Sequence, residues 1–282
     1  MSSNAALKLL NFDFVEINKK EFTFFSELLL GYSGIHLIEN EKNYSLLNNR
    51  LRKVLRSHGL ESFAALMMQL QTNPSAKLKE DFICCMTTNK TEFYREKDHF
   101  SQLPELLKER LLTKAPIYIW SSACSTGQEP YTMAMHFHEN YNADEFAKVK
   151  ILATDIDSDV LHTATEGFYQ EAQLEGLSSS QVNNYFEPVA NLFTLKDFIK
   201  DKVHFSKLNL FDFPFPTQKK FDIIFCRNVL IYFKPEDRLR ACENLLHHLQ
   251  VGGFLVLGLS EAGSVQLQNV KSIGNSTYRK IK

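Results

Sequence analysis

Apolar residues between positions 18 and 86 recur at helical spacing, in three stripes separated by turn residues. The stripes are Phe22, Phe25, Leu28 and Leu29; then Leu46, Leu47, Leu51, Val54 and Leu55; then Phe63, Leu66, Met67 and Leu70. Gly31, Gly34, Gly59 and the Asn73-Pro74 pair lie between them and predict the breaks. The pattern therefore predicts a small helical domain over residues 17–88, preceded by a tail at 1–16 without a strong pattern.

From residue 117 onward, short apolar runs alternate with helical patterns. Strands are predicted at 117–120, 149–154, 204–207, 221–226 and 254–259, and helices near 130–140, 158–166 and 235–249. Such alternation is typical of a parallel, doubly wound α/β sheet, which we place at residues 116–282. The polar segment at 89–115 then connects the two domains and includes an amphipathic helix near 103–112.

The alternation stops between residues 176 and 205. A short helix at 181–186 is followed by two short apolar runs, 191–194 and 202–205, which we expect to pair with each other. The sequence thus predicts a small β-subdomain at about 183–205, inserted into the larger sheet domain.

Composition limits the possible functions. The chain has 282 residues, of which 44% are hydrophobic and 23% charged, which is enough for a packed core in one large or two ordinary domains. A net charge of −1 excludes bulk electrostatic binding to nucleic acid, so any basic patch must be local. Five cysteines without a framework spacing, no signal peptide and no long apolar run predict a cytoplasmic protein without a metal site.

One predicted helix carries charges of a single sign. Arg50, Arg52, Lys53 and Arg56 lie in a stretch with no acidic residue between Lys42 and Glu61. Such a cluster is often only a solvated helix face. In a chain that is nearly neutral overall, it is also a candidate docking surface for an acidic partner.

Residues 117–135 form a strand, a loop of small residues turning at Gly127, and a helix that begins near Pro130. This order is that of the first βα turn of a nucleotide-binding α/β fold, where backbone amides approach a ligand closely. The loop lacks the G-x-G-x-x-G pattern and is followed by no P-loop lysine. It favours a nucleoside-like ligand over a purely structural turn.

Polar residues also follow two other predicted strands. Asp155 comes at the end of the second strand, where an acidic side chain accepts hydrogen bonds from ribose hydroxyls. Asp157 competes for that role, although it is also a ready N-cap for the helix after it. Arg227 and Asn228 follow a strand predicted to be fully buried, and we favour a ligand role for Asn228 because an unpaired buried amide is costly.

Together these residues resemble the chemotaxis receptor methyltransferases, the CheR family. The matching motifs, in family order, are TTNKTEFYR (87–95), WSSACSTGQEPY (120–131), ATDID (153–157), LNL (208–210), FCRNVLIYF (225–233) and GFLVLGLSE (253–261). The resemblance implies an all-α N-terminal domain and a Rossmann-like methyltransferase domain with a small β-subdomain. It implies that S-adenosylmethionine is the cofactor, that S-adenosylhomocysteine is the product, and that receptor glutamates are methylated.

The resemblance also assigns site residues. Cofactor contacts are implied for Asn89, Thr91, Arg95, Glu129, Met133, Asp155, Asn209, Leu210, Arg227 and Asn228. Arg95 and Tyr232 are implied to lie nearest the transferred methyl group and form the catalytic pair. The basic helix is implied to face the acidic methylation region of the receptor, and a monomer is expected.

Some features depart from the family pattern. Ala123 and Gln128 stand where Gly and Glu are common, which leaves Glu129 as the acid of that loop. The hairpin near 187–195 is shorter than in members that bind a tethering peptide, so we expect no tether. Two alternatives remain open: a methyltransferase with another substrate, and a non-catalytic module that senses the cofactor while docked on a receptor.

Overall fold

The computed structural model describes residues 16–282, apart from the side chain of Pro104. The predicted tail lies outside the described residues, except for its last residue. The chain divides into two compact units, one ending at Thr88 and one beginning at Asn89. None of the helices within residues 16–282 is long and apolar enough to cross a bilayer.

The first unit is the predicted helical bundle. Its helices are α1 (Lys19–Ser33), α2 (Glu41–Ser57), α3 (Phe63–Thr72) and α4 (Ala76–Cys84). Asn18, Asn40, Ser62 and Ser75 each cap a helix by accepting a backbone N–H. Gly34, with φ 74°, ends α1, whereas Gly31 lies within the helix instead of breaking it. The three apolar stripes meet in one core, with Phe25, Leu51 and Phe63 fully buried.

The second unit alternates helices with strands. Its helices are α5 (Asp98–Ser101), α6 (Leu103–Leu111), α7 (Gln128–Asn140), α8 (Ala143–Lys148), α9 (Ser158–Glu166), α10 (Ser179–Tyr185), α11 (Asp197–Lys200) and α12 (Pro235–His248). Its strands are β1 (Ile117–Ser121), β2 (Val149–Asp155), β3 (Phe168–Tyr169), β4 (Phe186–Val189), β5 (Leu192–Leu195), β6 (Val203–Lys207), β7 (Phe221–Cys226), β8 (Leu249–Leu257), β9 (Val270–Gly274) and β10 (Thr277–Lys280). Short 3₁₀ turns occur at Glu171–Leu174, Leu230–Tyr232 and Leu259–Glu261.

The large sheet confirms the predicted doubly wound architecture. Its strand order is β6-β2-β1-β7-β8-β10-β9, with β6 to β8 parallel and the last two strands antiparallel. The chain runs from β1 toward β6 and then returns to build the other half from β7. The order therefore reverses between β1 and β7, which is where ligands bind in open α/β sheets.

Both faces of this sheet are covered by apolar clusters. Along β1, Ile117 and Ile119 belong to one cluster and Trp120 to the other, and β7 alternates in the same way. Burial on both faces explains why these strands are continuous apolar runs without a polar face.

The small sheet contains β3, β5 and β4 in that order, so it lies within residues 168–195. The expected pairing of 191–194 with 202–205 is wrong. β5 pairs with β4 in a local hairpin, where Ala190 has φ 54°, and β6 pairs in parallel with β2 as an edge of the large sheet. A tight hairpin closes at little entropic cost, and it leaves β6 free to extend the larger sheet.

Candidate functional site

The carboxyl ends of three neighbouring strands form the centre of the site. Ser121 ends β1 and lies beside Ala153 of β2 on one side and Phe225 of β7 on the other. The loop after β1, the end of β2 and the residues after β7 are thereby brought to one edge of the sheet. These are the stretches in which the sequence predicted the polar residues of a ligand site.

The loop at 122–127 is held to the neighbouring strands by backbone hydrogen bonds. Ser122 donates its N–H to the carbonyl of Phe225 at 2.9 Å, and Cys124 donates to the carbonyl of Thr154 at 2.9 Å. Ser125 and Gly127 have left-handed backbone, with φ 49° and 93°. The loop thus turns sharply into α7, which begins at Gln128, two residues before the predicted start at Pro130.

Asp155 fixes this loop from the end of β2. Its Oδ2 accepts the Ser125 N–H at 2.8 Å, and its Oδ1 accepts the Asp157 N–H at 3.1 Å. Burial raises the pKa of the Asp155 carboxyl, against the lowering effect of these hydrogen bonds. Each carboxylate oxygen accepts about two hydrogen bonds, so capacity remains for the hydroxyl groups of a ribose.

Asp157 has the structural role that the sequence suggested as the alternative. Its Oδ1 accepts the N–H groups of Asp159 and Val160, at 2.9 and 3.4 Å, and caps α9. Its Oδ2 accepts the side-chain amide of Asn89 at 2.9 Å, and the Asn89 carbonyl accepts the Ser125 hydroxyl at 3.1 Å. The start of the segment at 89–96 is therefore tied to both the β1 loop and the end of β2.

Arg227, directly after β7, carries a buried positive charge between two carboxylates. Its guanidinium lies 3.0 Å from Glu129 Oε2 and 3.2 Å from Glu96 Oε2, and it also donates to the backbone carbonyl of Arg95. The Arg227 side chain is only 2% exposed. The charges of the two carboxylates compensate for its removal from water.

The two carboxylates differ in their pKa shifts. Burial raises the pKa of Glu129, although Arg227 and a hydrogen bond from the Ser121 hydroxyl at 2.7 Å oppose the shift. Glu96 is less deeply buried. Desolvation also acts to raise its pKa, but hydrogen bonds from Asn228 and the charge of Arg227 lower it overall.

Asn228 is held by its backbone and by its side chain. It has φ 59°, and its side-chain amide donates to Glu96 Oε1 at 3.1 Å. Glu261, which is buried, accepts the N–H groups of Asn228 at 2.9 Å, Leu230 at 2.8 Å and Gly258 at 2.8 Å. A Cβ at Gly258 would lie 2.7 Å from Glu261 Oε2 and 3.0 Å from the Asn228 backbone nitrogen, so a larger residue would displace the Glu261 carboxylate from this turn.

Sequence reasoning missed both Glu96 and Glu261 as site residues. Glu261 is the last residue of the motif at 253–261, and Glu96 directly follows the motif at 87–95. These positions are the signal in the sequence that could have identified the two carboxylates. Their partners are distant in sequence, with Glu96 and Arg227 separated by 131 positions. No local spacing predicts such a pair.

The two residues predicted nearest the methyl group have different surroundings. Arg95 is half-buried, and its guanidinium donates to the carbonyl of Lys90 at 2.9 Å, which closes the segment on itself. Thr91 lies half-buried within this closed stretch. Tyr232 ends the 3₁₀ turn after Asn228, and its ring packs partly against the apolar cluster on α12.

Three other predicted contacts lie in or beside the core. Leu208 donates its N–H to the Asp155 carbonyl at 2.9 Å, which brings Asn209 and Leu210 to the end of β2. Asn209 caps its own turn by accepting the Phe211 N–H at 3.0 Å, and Leu210 is buried. Met133 is fully buried on α7 in a core cluster, so packing accounts for its position and a cofactor contact stays a prediction.

The four basic residues on α2 are not equivalent. The Arg50 guanidinium donates to the Thr87 carbonyl at 2.7 Å and to the Thr88 hydroxyl at 3.2 Å, so it fixes the end of the helical unit. Arg52 is half-buried, whereas Lys53 and Arg56 are exposed. The predicted docking surface therefore includes one residue with a structural role.

The donors and acceptors at the strand ends fit S-adenosylmethionine chemically. Asp155 has carboxylate oxygens of the kind that ribose hydroxyls bind, and the cofactor contacts of Asp155 and Glu129 stay predictions. The amides of Asn89, Asn209 and Asn228 supply neutral donors and acceptors around them. These groups lie at the start of α7, the end of β2, and the segments at 89–96, 208–210 and 227–228.

Replacing Glu261 tests the role of its carboxylate in holding the turn after β7. In Glu261→Gln the new amide NH₂ faces backbone N–H donors, so we expect the free energy of unfolding to fall by about 1–3 kcal/mol. Urea unfolding followed by the fluorescence of Trp120, the only tryptophan and fully buried, measures this change.

The matched control is Glu187→Gln at an exposed position on β4, where we expect a change below about 0.5 kcal/mol. Equal effects of the two substitutions would contradict the role assigned to Glu261.

Comparison with known proteins identifies the family. The sequence profile of the CheR methyltransferase all-alpha domain matches residues 20–87, and that of the CheR methyltransferase SAM-binding domain matches residues 89–279. A chemotaxis protein methyltransferase of Borreliella burgdorferi is 35% identical over 94% of this chain and 96% of its own length. One from Vibrio anguillarum is 36% identical over 88% of this chain and 91% of its own. One from Pseudomonas aeruginosa, chemotaxis protein methyltransferase 2, is 33% identical over 92% of each. The chain belongs to the CheR family of S-adenosylmethionine-dependent methyltransferases.

Proposed function

We propose that this methyltransferase acts as a protein-glutamate O-methyltransferase, forming glutamate methyl esters on the cytoplasmic methylation region of chemotaxis receptors. One observation carries the proposal beyond family membership. Asp155, Glu129 and Glu96 at the strand ends each accept a hydrogen bond from a protein donor, which gives these carboxylates a role in holding the site in place. Such a site suits a nucleophile that is already ionised.

A glutamate side chain is such a nucleophile. Its reference pKa of about 4.3 leaves it ionised at neutral pH, so no proton has to be removed before attack. The cofactor, when bound, supplies an electrophilic methyl group on a sulfonium. The receptor carboxylate forms a bond to that carbon while the carbon–sulfur bond breaks, which yields a methyl ester and S-adenosylhomocysteine. Orientation of two bound reactants lowers the activation free energy by about 7–11 kcal/mol. Base catalysis raises the rate by a factor of roughly 10²–10⁴, which corresponds to a smaller free energy.

Arg95 and Tyr232 are the residues proposed to act on the incoming carboxylate. The Arg95 guanidinium steers and orients it by charge, and the Tyr232 hydroxyl shapes the pocket by hydrogen bonding. A tight ion pair with Arg95 would stabilise the ground state and slow attack, so orientation is its proposed role. His99 is buried, which lowers the pKa of its imidazole, and its Nε2 lies 2.8 Å from the Asn275 carbonyl.

The function is tested by methyl transfer from labelled S-adenosylmethionine to receptor-containing membranes. Treatment with base releases volatile methanol from carboxyl methyl esters and leaves N-methyl groups intact. Base-labile label on the receptor supports the proposal. Base-stable label would favour another substrate group, and S-adenosylhomocysteine binding without transfer would favour the sensing module.

Replacing Arg95 tests its proposed role. Arg95→Ala removes the positive charge that orients the carboxylate, and we expect methyl ester formation to fall about 100-fold. The same methanol assay measures the rate. The control is Arg279→Ala. Arg279 is exposed on β10 and is not one of the predicted site residues, so this variant should keep nearly full activity. Equal losses in the two variants would contradict the assignment.

Neutralising the exposed part of α2 tests receptor docking. In Lys53→Gln/Arg56→Gln we expect KM for the receptor to rise about tenfold with kcat unchanged, because steering by charge affects the encounter. Lys19→Gln/Lys20→Gln removes the same charge from exposed positions on α1 and should leave KM unchanged. Arg50 is kept intact because its guanidinium holds the end of the bundle. A receptor KM that is the same in both double variants would contradict the docking role.

A further inference from the structure

The side chain of Glu96 contacts residues that follow two different strands, β7 and β8. Its Oε2 accepts from the Arg227 guanidinium at 3.2 Å and from the Leu259 N–H at 3.2 Å, and its Oε1 accepts from the Asn228 side chain at 3.1 Å. These partners follow β7 and β8. One side chain thus connects the segment at 89–96 to two strand ends.

All of these partners are hydrogen-bond donors. An ionised carboxylate is an acceptor at both oxygens, whereas an amide of the same shape has one acceptor and one donor. His99 is not one of these donors: its Nε2 donates to the Asn275 carbonyl, so Nδ1, which lies 3.5 Å from Glu96 Oε2, is an acceptor in the neutral ring. A glutamine at position 96 would therefore lose the negative charge and one of the two acceptor oxygens that serve Arg227, Leu259 and Asn228.

The backbone of this segment depends on external contacts. Tyr94 has φ 55° and Glu96 has φ 52°, the left-handed region that residues with a side chain adopt only where their surroundings hold them. The Tyr94 N–H donates to the Thr132 hydroxyl at 3.1 Å, which holds one of the two positions. The carboxylate contacts of Glu96 hold the other.

Arg227 links the Glu96 carboxylate to the backbone of Arg95. The same guanidinium binds the backbone carbonyl of Arg95 and the carboxylate of Glu96, two consecutive residues. The chain that carries the Arg95 side chain is therefore fixed at both its own carbonyl and the next side chain. Without the Glu96 carboxylate, Arg227 would hold residues 95–96 through the Arg95 carbonyl alone.

We propose that Glu96 is a positioning residue for methyl transfer, which acts through Arg227 to hold the backbone of Arg95 in place. The inference rests on the proposed function for its catalytic consequence. Its structural part, the ordering of residues 89–97 by the Glu96 carboxylate, stands independently of the substrate.

The test compares Glu96→Gln, Glu96→Asp and the control Glu92→Gln, an exposed glutamate of the same segment. Glu96→Gln should lower kcat for methyl ester formation about 100-fold, which is the cost of misplacing a reacting group by about 1 Å. The dissociation constant of S-adenosylhomocysteine should rise by a smaller factor. Glu96→Asp keeps the charge on a shorter side chain and should regain part of the rate, and Glu92→Gln should match the parent protein.

Two further measurements separate positioning from a general structural effect. Amide hydrogen exchange of residues 89–97 should accelerate in Glu96→Gln, while exchange in β1 and β7 stays unchanged. If Glu96 acts through Arg227, adding Glu96→Gln to Arg227→Lys should lower kcat little further, because residues of one network are not additive.

Several results would overturn the proposal. They are parental kcat in Glu96→Gln, an equal loss in Glu92→Gln, full additivity with Arg227→Lys, a rise in the dissociation constant as large as the fall in kcat, or unchanged exchange at 89–97. A wild-type protein that forms no methyl ester would instead overturn the proposed function, and the exchange measurement, which needs no receptor, would still decide whether Glu96 orders the segment.

Discussion

The arrangement of the site depends on one buried positive charge. Arg227 stands at the end of the central strand β7 with its side chain almost wholly removed from water. Burying such a charge costs several kcal/mol unless opposite charges and hydrogen bonds surround it. Glu129 from α7 and Glu96 from the segment before α5 supply both, which brings the helix start and that segment to the same strand end.

A second acidic residue gives the neighbouring turn its shape. The Glu261 carboxylate accepts backbone N–H groups on both sides of the turn, which supports the left-handed backbone of Asn228. A carboxylate that accepts several backbone hydrogen bonds restricts the turn, and a reaction that depends on orientation requires such restriction. Carboxylates that would act as bases in other enzymes are used in this fold to hold the chain in position.

The basic helix of the first unit illustrates a limit of reading charge from sequence. Arg50 and Arg56 look alike in a list of cationic residues, although Arg50 bonds to the carbonyl of Thr87 and Arg56 is exposed. The distinction decides which substitutions probe docking and which ones disturb the bundle. Residue type alone does not tell a structural arginine such as Arg50 from an exposed one such as Arg56.

The sequence by itself determined the helical bundle, the alternation of the parallel strands with helices, the N-cap role of Asp157 and the place of Asp155 at a strand end. Each of these follows from local spacing, because helix and strand periodicity and capping involve residues a few positions apart. Only the tertiary structure decided the pairing of β5 with β4, the structural role of Arg50, and the joining of Glu96 to Arg227 across 131 positions. Each of these contacts joins residues whose spacing along the chain no periodicity specifies. For Glu96 and Arg227 the physical reason is that neutralising a buried charge specifies a partner's chemistry but not its position along the chain.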